Sequence, residues 1–334
     1  MASILQRLSW LRPFGTGTPT CLCRRLFCTP GLTASPPSDD AGAKTLPNTA
    51  ECKIRQLHPR ELSVLSASQP VEGARLRNVD LRRMYDADPT GFFLATAGDG
   101  EVVGSIAAIR QTENLGFIGF HHVNPAFKDG GAELWAAAMG HLGDRNIGIE
   151  VDAADIDKYE ELGFKEEWRN GCFKGSGIPL LPEVQTNKLL RSIADVGYGR
   201  VVDFDTEVCG EPRVKFLLDW LRTDDPRGAQ VVFEGDRVVG YGVIRPLQAA
   251  ASHFIGPLLA ENAAAAQVLL LSLLSTAPQQ TLFMHSPLAN PSFVRLLETD
   301  LRMEQMAERV RMYTAGNPGT DTRKTFGVLS QDTG

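Results

Sequence analysis

The chain has 334 residues, of which 43% are hydrophobic and 22% are charged, a composition typical of a globular protein with two domains of ordinary size. Its net charge of −6 indicates no nucleic-acid surface, and no apolar run is long enough for a membrane span. The spacing of the cysteines suits neither a zinc site nor a disulfide framework. We therefore expect no metal, no nucleic-acid partner and no membrane span.

The N-terminal segment has the composition of a targeting sequence. Residues 1–38 contain no acidic residue, and four arginines accompany an apolar helical face formed by Ile4, Leu5, Leu8 and Leu11. This pattern is typical of a mitochondrial transit peptide, whereas a secretory signal needs an uninterrupted apolar core. Arg25 lies shortly before Cys28, as in a matrix-processing site. We predict a transit peptide over residues 1–27, a flexible linker over 28–50 and a location in the mitochondrial matrix. The alternative is a disordered basic N-terminus that carries no targeting signal.

The segments that follow predict a mixed α/β sheet. Apolar runs bounded by glycine and proline indicate strands, and helical spacing with an Asn78 cap indicates helices. The predicted strands are Lys53–Leu57, Gly91–Ala97, Val102–Ile109, Phe117–Val123, Ile147–Val151 and Phe164–Phe173, and the predicted helices are Pro59–Ser66, Asn78–Tyr85 and Asp155–Leu162.

The stretch from Leu115 to Leu142 combines a strand, a glycine-containing loop and a helix. Pro125 ends the strand because it lacks a backbone donor, and Lys128 to Gly131 form a basic loop before the helix. Backbone N–H groups and the positive end of the helix dipole meet at such a point, and glycine lets a phosphate come close. The stretch therefore predicts a site for a pyrophosphate.

Two motifs in this region resemble those of the GNAT N-acetyltransferase superfamily. Val123-x-Pro125-x-Phe127-Lys128-x-x-Gly131 resembles the coenzyme A loop of that family, and the run from Tyr159 to Phe164, YEELGF, resembles its Y-E-K-L-G-F segment. The resemblance implies an acetyl-CoA-dependent transfer to a small amine, with acetyl-CoA as co-substrate. The loop is about two residues shorter than in the family, and Glu133 occupies the place of a small residue.

The resemblance also assigns candidate site residues. It places the pyrophosphate against Lys128, Asp129, Gly130, Gly131 and Ala132, and the acyl arm along Phe120, His122 and Val123. It implies a strand bulge near Val123 whose N–H holds the thioester oxygen. Tyr159 occupies the position of the acid that protonates the leaving thiolate.

The general base and the amine site are less defined. His121 is a candidate base because histidine titrates in the right range, and alternation along the strand turns His122 to the other face. Glu72 and Asp80 resemble an acidic patch of one GNAT subfamily and suit a cationic amine, and either could be the base instead. The alternative for these two carboxylates is a solvated pair beside a helix.

An internal repeat indicates two copies of one domain. Gly98, Val102 and Phe117 correspond to Gly235, Val238 and Phe254, with an offset of about 136 residues throughout. We predict two tandem GNAT-like domains over residues 51–175 and 184–316, each a mixed and largely antiparallel sheet flanked by helices, and a tail over 317–334. Copy two has no glycine in its loop and Leu296 in place of Tyr159, but it has Asn290 where GNAT enzymes often bind the pantetheine arm.

The sequence leaves two classes of function open. The first is an N-acetyltransferase that uses copy one for chemistry and copy two to complete the substrate cleft. The second is a catalytically degenerate GNAT-fold protein that acts as an acyl-CoA-binding or interaction module. Tyr159 favours the first, and the short loop with Glu133 favours the second.

If the leader is removed on import, the mature protein begins between about Cys28 and Glu51, since processing follows the arginine-bearing segment. Mass spectrometry of the N-terminal peptide from cells checks this prediction. A cytosolic protein that retains Met1 would contradict it.

Overall fold

The strands pair in the same order in both halves of the chain. This computed structural model describes residues 52–67, 74–124, 127–176 and 189–334, without the side chains of residues 128–130. The predicted transit peptide and linker, and Glu72, lie outside the described residues.

The elements of copy one are the strands β1 Lys53–Gln56, β2 Phe92–Thr96, β3 Val102–Arg110, β4 Leu115–Val123, β5 Asn146–Asp152 and β6 Lys165–Ser176, with the helices α1 Ser63–Ala67, α2 Asn78–Ala87, α3 Lys128–Leu142 and α4 Ile156–Glu161. The elements of copy two are the strands β7 Leu189–Ser192, β8 Ala229–Glu234, β9 Arg237–Pro246, β10 Ser252–Ala260, β11 Thr281–Pro287, β12 Glu304–Tyr313 and β13 Thr325–Gly327, with the helices α5 Ile193–Val196, α6 Gly199–Cys209, α7 Val214–Trp220, α8 Ala263–Ser275 and α9 Pro291–Arg295.

The internal repeat reappears as matching strand order. Strands β1 to β4 pair antiparallel in succession, and β5 pairs parallel with β4. Strands β7 to β11 repeat this arrangement. A parallel pair needs a long crossover connection, which α3 supplies in copy one and α8 in copy two. The predicted fold class, a mixed and largely antiparallel sheet with flanking helices, is confirmed.

The two copies exchange their last strands. Strand β12 lies between β5 and β6, and β6 lies between β12 and β11. All 13 strands therefore belong to one sheet. The expectation of two separate compact domains needs correction, because each copy completes its sheet with a strand of the other. The predicted tail is also more ordered than expected, since it contains β13, which pairs with β10.

Helices cover both faces of copy one. On one face, Leu134, Ala138 and Leu142 of α3 pack in a core with Ile118 and Ile149. On the other face, α2 belongs to a core that also includes residues of copy two, among them Phe216, Trp220 and Phe254. The side of copy one that faces copy two is therefore an interior surface.

A buried ion pair lies at the seam between the exchanged strands. Glu150 of β5 accepts hydrogen bonds from Nη2 and Nε of Arg311 on β12, at 2.6 and 3.0 Å, and from Nδ2 of Asn170 on β6, at 2.8 Å. Burial raises the pKa of Glu150, but the charge of Arg311 outweighs it, so the net shift is downward. The carboxylate is therefore ionised and holds strands from both copies together.

Removal of this carboxylate should destabilise the fold strongly. In Glu150→Ala the guanidinium of Arg311, which is 2% exposed, keeps its charge in the interior without its partner. We expect the free energy of unfolding to fall by about 3–5 kcal/mol, measured by urea denaturation. The control is Glu166→Ala, which removes a carboxylate from exposed Arg169 and should cost at most about 1 kcal/mol. Equal losses in the two variants would contradict the role of the seam.

Candidate active site

The candidate site lies where β4 and β5 separate. Their parallel pairing runs from Leu115 and Asn146 to Ile118 and Ile149 and then stops. Next to this point β4 bulges: Ala107 of β3 pairs with Gly119 but Ser105 pairs with His122, so two residues of β4 oppose one of β3. Phe120, inside the bulge, has φ +49°, which is rare for an aromatic residue. The bulge frees a backbone N–H beside the opening between the strands.

The position of this bulge corrects two sequence predictions. The bulge lies at Phe120 and His121 rather than near Val123, which pairs regularly with Gly104. Because the extra residue shifts the alternation of side chains, His121 turns toward α3, where its ring lies 5.7 Å from that of Trp135. His122 is exposed.

The environment of His121 does not suit a general base. Burial, together with the charge of Lys158, lowers the pKa of His121 to about 4. Its Nε2 is buried and has no hydrogen-bond partner among the described residues. The imidazole is therefore neutral and weakly basic at pH 7, and it faces the helix side of the sheet. The orientation of His121 toward α3 argues against its assignment as the base.

Tyr159 lies in the same aromatic group as His121. Its ring centroid is 5.9 Å from that of Trp135 and 6.1 Å from that of Phe164, and its side chain is 7% exposed. Burial, followed by the carboxylate of Asp155, raises the pKa of Tyr159. The phenol therefore stays protonated at neutral pH. Since Trp135 contacts both rings, Tyr159 and the β4 bulge flank one aromatic side chain.

The start of α3 is suited to an anion. The residue before the helix, Phe127, supplies no side-chain hydrogen bond to the first turn, so the N–H groups there are not capped by it. Gly131 is buried, and a Cβ at this position would lie 3.4 Å from Cγ2 of Val123. The start of α3 is thus in contact with the end of β4. Ala132 is half-buried, and the side chains of Lys128, Asp129 and Gly130 are not described.

The equivalent positions of copy two are already occupied by the chain. Oδ1 of Asn262 accepts a hydrogen bond from the N–H of Ala265 and caps α8. Strand β13 pairs with β10 at Leu258 and Leu259, beyond the last parallel pair of β10 and β11. Asn290, expected to bind a pantetheine arm, donates to the carbonyl oxygens of Thr322 and Thr325 at 2.7 and 2.8 Å. Copy two therefore pairs this strand edge with its own β13, whereas no described strand pairs with the corresponding edge of β4 beyond Ile118 in copy one.

Asp80, one of the two carboxylates of the predicted acidic patch, is not open to a substrate. Asp80 is fully buried and forms ion pairs with Arg77, Arg83 and Arg245, whose nitrogens lie at 3.1, 2.7 and 2.9 Å. Arg245 belongs to β9, so this cluster links α2 to copy two. Asp80 is therefore a buried structural residue, and this corrects its assignment to an open amine site.

Sequence reasoning missed the polar groups on the other side of the opening. The carboxylate of Asp332 accepts a hydrogen bond from the N–H of Phe120 at 3.0 Å. His285 of β11 lies in contact with Glu150, with Nδ1 and Oε1 4.0 Å apart, and neither atom has a hydrogen-bond partner within the described chain. A cavity of about 30 Å³ is lined by His285, Ser330 and Asp332, with room for about two waters. The one signal was Gly119, since glycine inside a strand marks a close approach.

The described residues contain neither a metal-ligand cluster nor a membrane-spanning helix. No group of three or more His, Cys, Asp or Glu side chains there is placed to hold a metal ion. No described helix is long and apolar enough to cross a membrane.

Comparison with known proteins supports a relation to acetyltransferases. Residues 201–327 match the family model described as an acetyltransferase (GNAT) domain. Copy two therefore contains a GNAT acetyltransferase domain. The match lies in copy two, and copy one has the same strand order. A relative, the holothin acyltransferase of Pseudoalteromonas sp. (strain SANK 73390), is 26% identical over 258 residues, which are 76% of this chain and 85% of that protein. Family and relative both support acyl transfer.

Solved structures show the same fold over both copies. A proposed acetyltransferase from Pyrococcus horikoshii has a TM-score of 0.68 at 18% identity and covers 88% of this chain and 99% of its own. A tandem GNAT protein from the clavulanic acid biosynthesis pathway has a TM-score of 0.55 at 15% identity and covers 79% and 98%. These likenesses support the fold and its tandem arrangement.

The neutral state of His121 should make stability depend on pH. A histidine of the unfolded chain takes up a proton near pH 6.5, whereas His121 in the folded chain does so only near pH 4. The free energy of unfolding should therefore fall as pH falls below about 6.5, by up to about 1.4 kcal/mol per pH unit for this group. His121→Phe keeps a ring against Trp135 and should reduce the loss between pH 7 and pH 5, measured by urea denaturation. An unchanged pH dependence would contradict the buried, neutral imidazole.

Proposed function

We propose that the protein transfers an acetyl group from acetyl-CoA to the amino group of a small acceptor, and that copy one carries out the reaction. The observation that supports this most is the contrast between the copies. In copy two the strand edge is paired with β13 and the helix start is capped by Asn262. Among the described residues of copy one, no strand pairs with that edge of β4 and Phe127 does not cap α3. One copy therefore retains the surface that a coenzyme A molecule needs.

The described residues of copy one fit such a co-substrate. The N–H groups at the start of α3, from Lys128 to Ala132, would hold the pyrophosphate. Gly131 packs against Val123 and has no side chain that would block the pyrophosphate. The acyl arm would run along β4 from Phe120 to Val123. Exposed Glu133 adds negative charge close to this site and lowers its affinity for a polyanion.

In the reaction the acceptor nitrogen attacks the thioester carbon, the C–S bond breaks, the sulfur gains a proton and the nitrogen loses one. The freed N–H of Phe120 is the donor for the thioester oxygen, where negative charge develops. Tyr159 donates a hydrogen bond to the departing sulfur and then its proton. The raised pKa of Tyr159 makes its phenol a weak acid. The phenol therefore first stabilises the departing thiolate by a hydrogen bond and transfers its proton afterwards.

The proton of the amine leaves on the opposite side of the sheet. On that side Glu150 and His285 each have one polar atom that has no hydrogen-bond partner in the described chain, and Asp332 lines the same cavity as His285. Burial lowers the pKa of His285 to about 4, against the opposing effect of Glu150. This pair is as weakly basic as His121, but its position beside the cavity favours it over His121 as the acceptor of the proton.

The second candidate function is a non-catalytic acyl-CoA-binding module. Glu133 and the shortened loop favour it, since both weaken the co-substrate site without affecting the fold. We also propose that the protein works in the mitochondrial matrix, because residues 1–27 have the composition of a transit peptide.

Binding and turnover separate these functions. Acetyl-CoA that binds only the folded protein must raise its melting temperature, by an amount set by RT ln(1 + [L]/Kd). Release of the coenzyme A thiol over a panel of amines then measures turnover. Binding with acceptor-dependent thiol release supports the transferase. Binding without release supports the module, and no shift at millimolar acetyl-CoA contradicts both.

Tyr159→Phe tests the assigned acid. The substitution keeps the ring against Trp135 and Phe164 and removes only the hydroxyl. General acid catalysis contributes roughly 10²–10⁴-fold, so we expect kcat to fall at least tenfold while the affinity for acetyl-CoA changes little. The measurement is steady-state kinetics on an acceptor for which the chemical step limits the rate. Full kcat in the variant would leave Tyr159 as a packing residue.

A further inference from the structure

Most of the segment Ser330–Gly334 is buried. Thr333 is fully buried, and Asp332 is 8% exposed. Asp332 N–H donates to Oγ of Ser330 and Gly334 N–H donates to the carbonyl oxygen of Ser330, so the segment folds into a compact turn. This turn lies within the cleft between the copies.

Four contacts hold the turn against copy one and its neighbour. The carboxylate of Asp332 accepts the N–H of Phe120 at 3.0 Å. A Cβ on Gly119 would collide with the backbone of Asp332, so only glycine permits this approach. Nε2 of Gln111 donates to the carbonyl oxygen of Thr333. Nη1 of Arg213 donates to an oxygen of Gly334 at 3.2 Å, while its other nitrogens hold Asp205.

The first of these contacts lies at the proposed point of chemistry. The N–H of Phe120 is the donor freed by the β4 bulge, and the proposed function assigns it to the thioester oxygen. One N–H cannot make a full hydrogen bond to both acceptors. A carboxylate is the stronger acceptor, because it is charged. The segment as found and a bound acyl group in its reactive position therefore exclude each other.

Strand β13, which precedes the segment Ser330–Gly334, occupies the opening of copy two and is held there by different contacts. Strand β13 fills the opening of copy two by backbone pairing with β10, and Asn290 anchors the loop before it. The segment after it continues into copy one and reaches the β4 bulge through the side chain of Asp332. One continuous stretch thus occupies both openings, by a backbone ladder in copy two and by a side-chain contact in copy one. The side-chain contact in copy one is easier to displace than the backbone ladder in copy two.

We propose that Ser330–Gly334 is a built-in competitor that occupies the acylation point of copy one until acyl-CoA displaces it. The inference rests on the proposed function of copy one. It makes the acceptor side accessible only in the acyl-CoA-bound protein.

The test compares acetyl-CoA binding and turnover in Asp332→Ala, in a protein that ends at Ser330, and in the full chain. If the segment competes with acetyl-CoA, Kd for acetyl-CoA, measured by calorimetry, should fall at least threefold in both variants. The control Gln331→Ala changes the adjacent residue and should leave Kd unchanged. A synthetic peptide of residues 328–334 should restore inhibition of the shortened protein and compete with acetyl-CoA.

The outcomes separate this inference from the proposed function. Equal Kd in the full chain and both variants overturns the competitor and leaves the transferase standing. A fall in kcat of Asp332→Ala at saturating acetyl-CoA also overturns it, since the carboxylate would then serve the reaction. No binding of acetyl-CoA by any of these proteins overturns both. If the shortened protein fails to fold, acetyl-CoA binding is compared instead in Asp332→Ala with and without the added peptide.

Discussion

Backbone groups that are released where two parallel strands part must find partners, and this requirement organises both halves of the molecule. In copy two the edge of β10 beyond the parting receives β13, so the chain satisfies its own backbone. In copy one the bulge at Phe120 directs an N–H into the opening, and the carboxylate of Asp332 accepts it. A ligand that offers hydrogen-bond acceptors along β4 could take the place of that carboxylate. The contrast between a backbone ladder in copy two and a few hydrogen bonds in copy one supports the proposal that copy one carries the chemistry.

The exchange of β6 and β12 gives this arrangement its rigidity. The two strands lie side by side in the middle of the sheet, and Glu150, Arg311 and Asn170 connect them to β5. Because the seam joins both copies, the openings of copy one and copy two keep a fixed relation to each other. That relation lets one short segment at the C-terminus reach both openings. It also places Glu150 and His285, which come from different copies, in contact.

Local patterns in the sequence were sufficient for the elements and for the repeat. Apolar runs and glycine turns located most strands, and the spacing from Lys128 to Leu142 located the helix that follows β4. The exchange of strands was not predictable, because the residue pattern of β6 is compatible with either neighbour. The bulge was expected near Val123 rather than at Phe120, because an aromatic residue at positive φ has no sequence signal, and one extra residue reversed the side chains after it. The polar C-terminal residues have no periodicity, so nothing marked them as buried.

The central claim is that copy one, and not copy two, binds coenzyme A. A crystal structure of the protein with coenzyme A tests it most directly. The account predicts the pyrophosphate at the N–H groups of residues 128–132 and the pantetheine arm along Phe120 to Val123, with β13 still paired to β10. Coenzyme A at the start of α8, beside Asn262 and with β13 displaced, would contradict it.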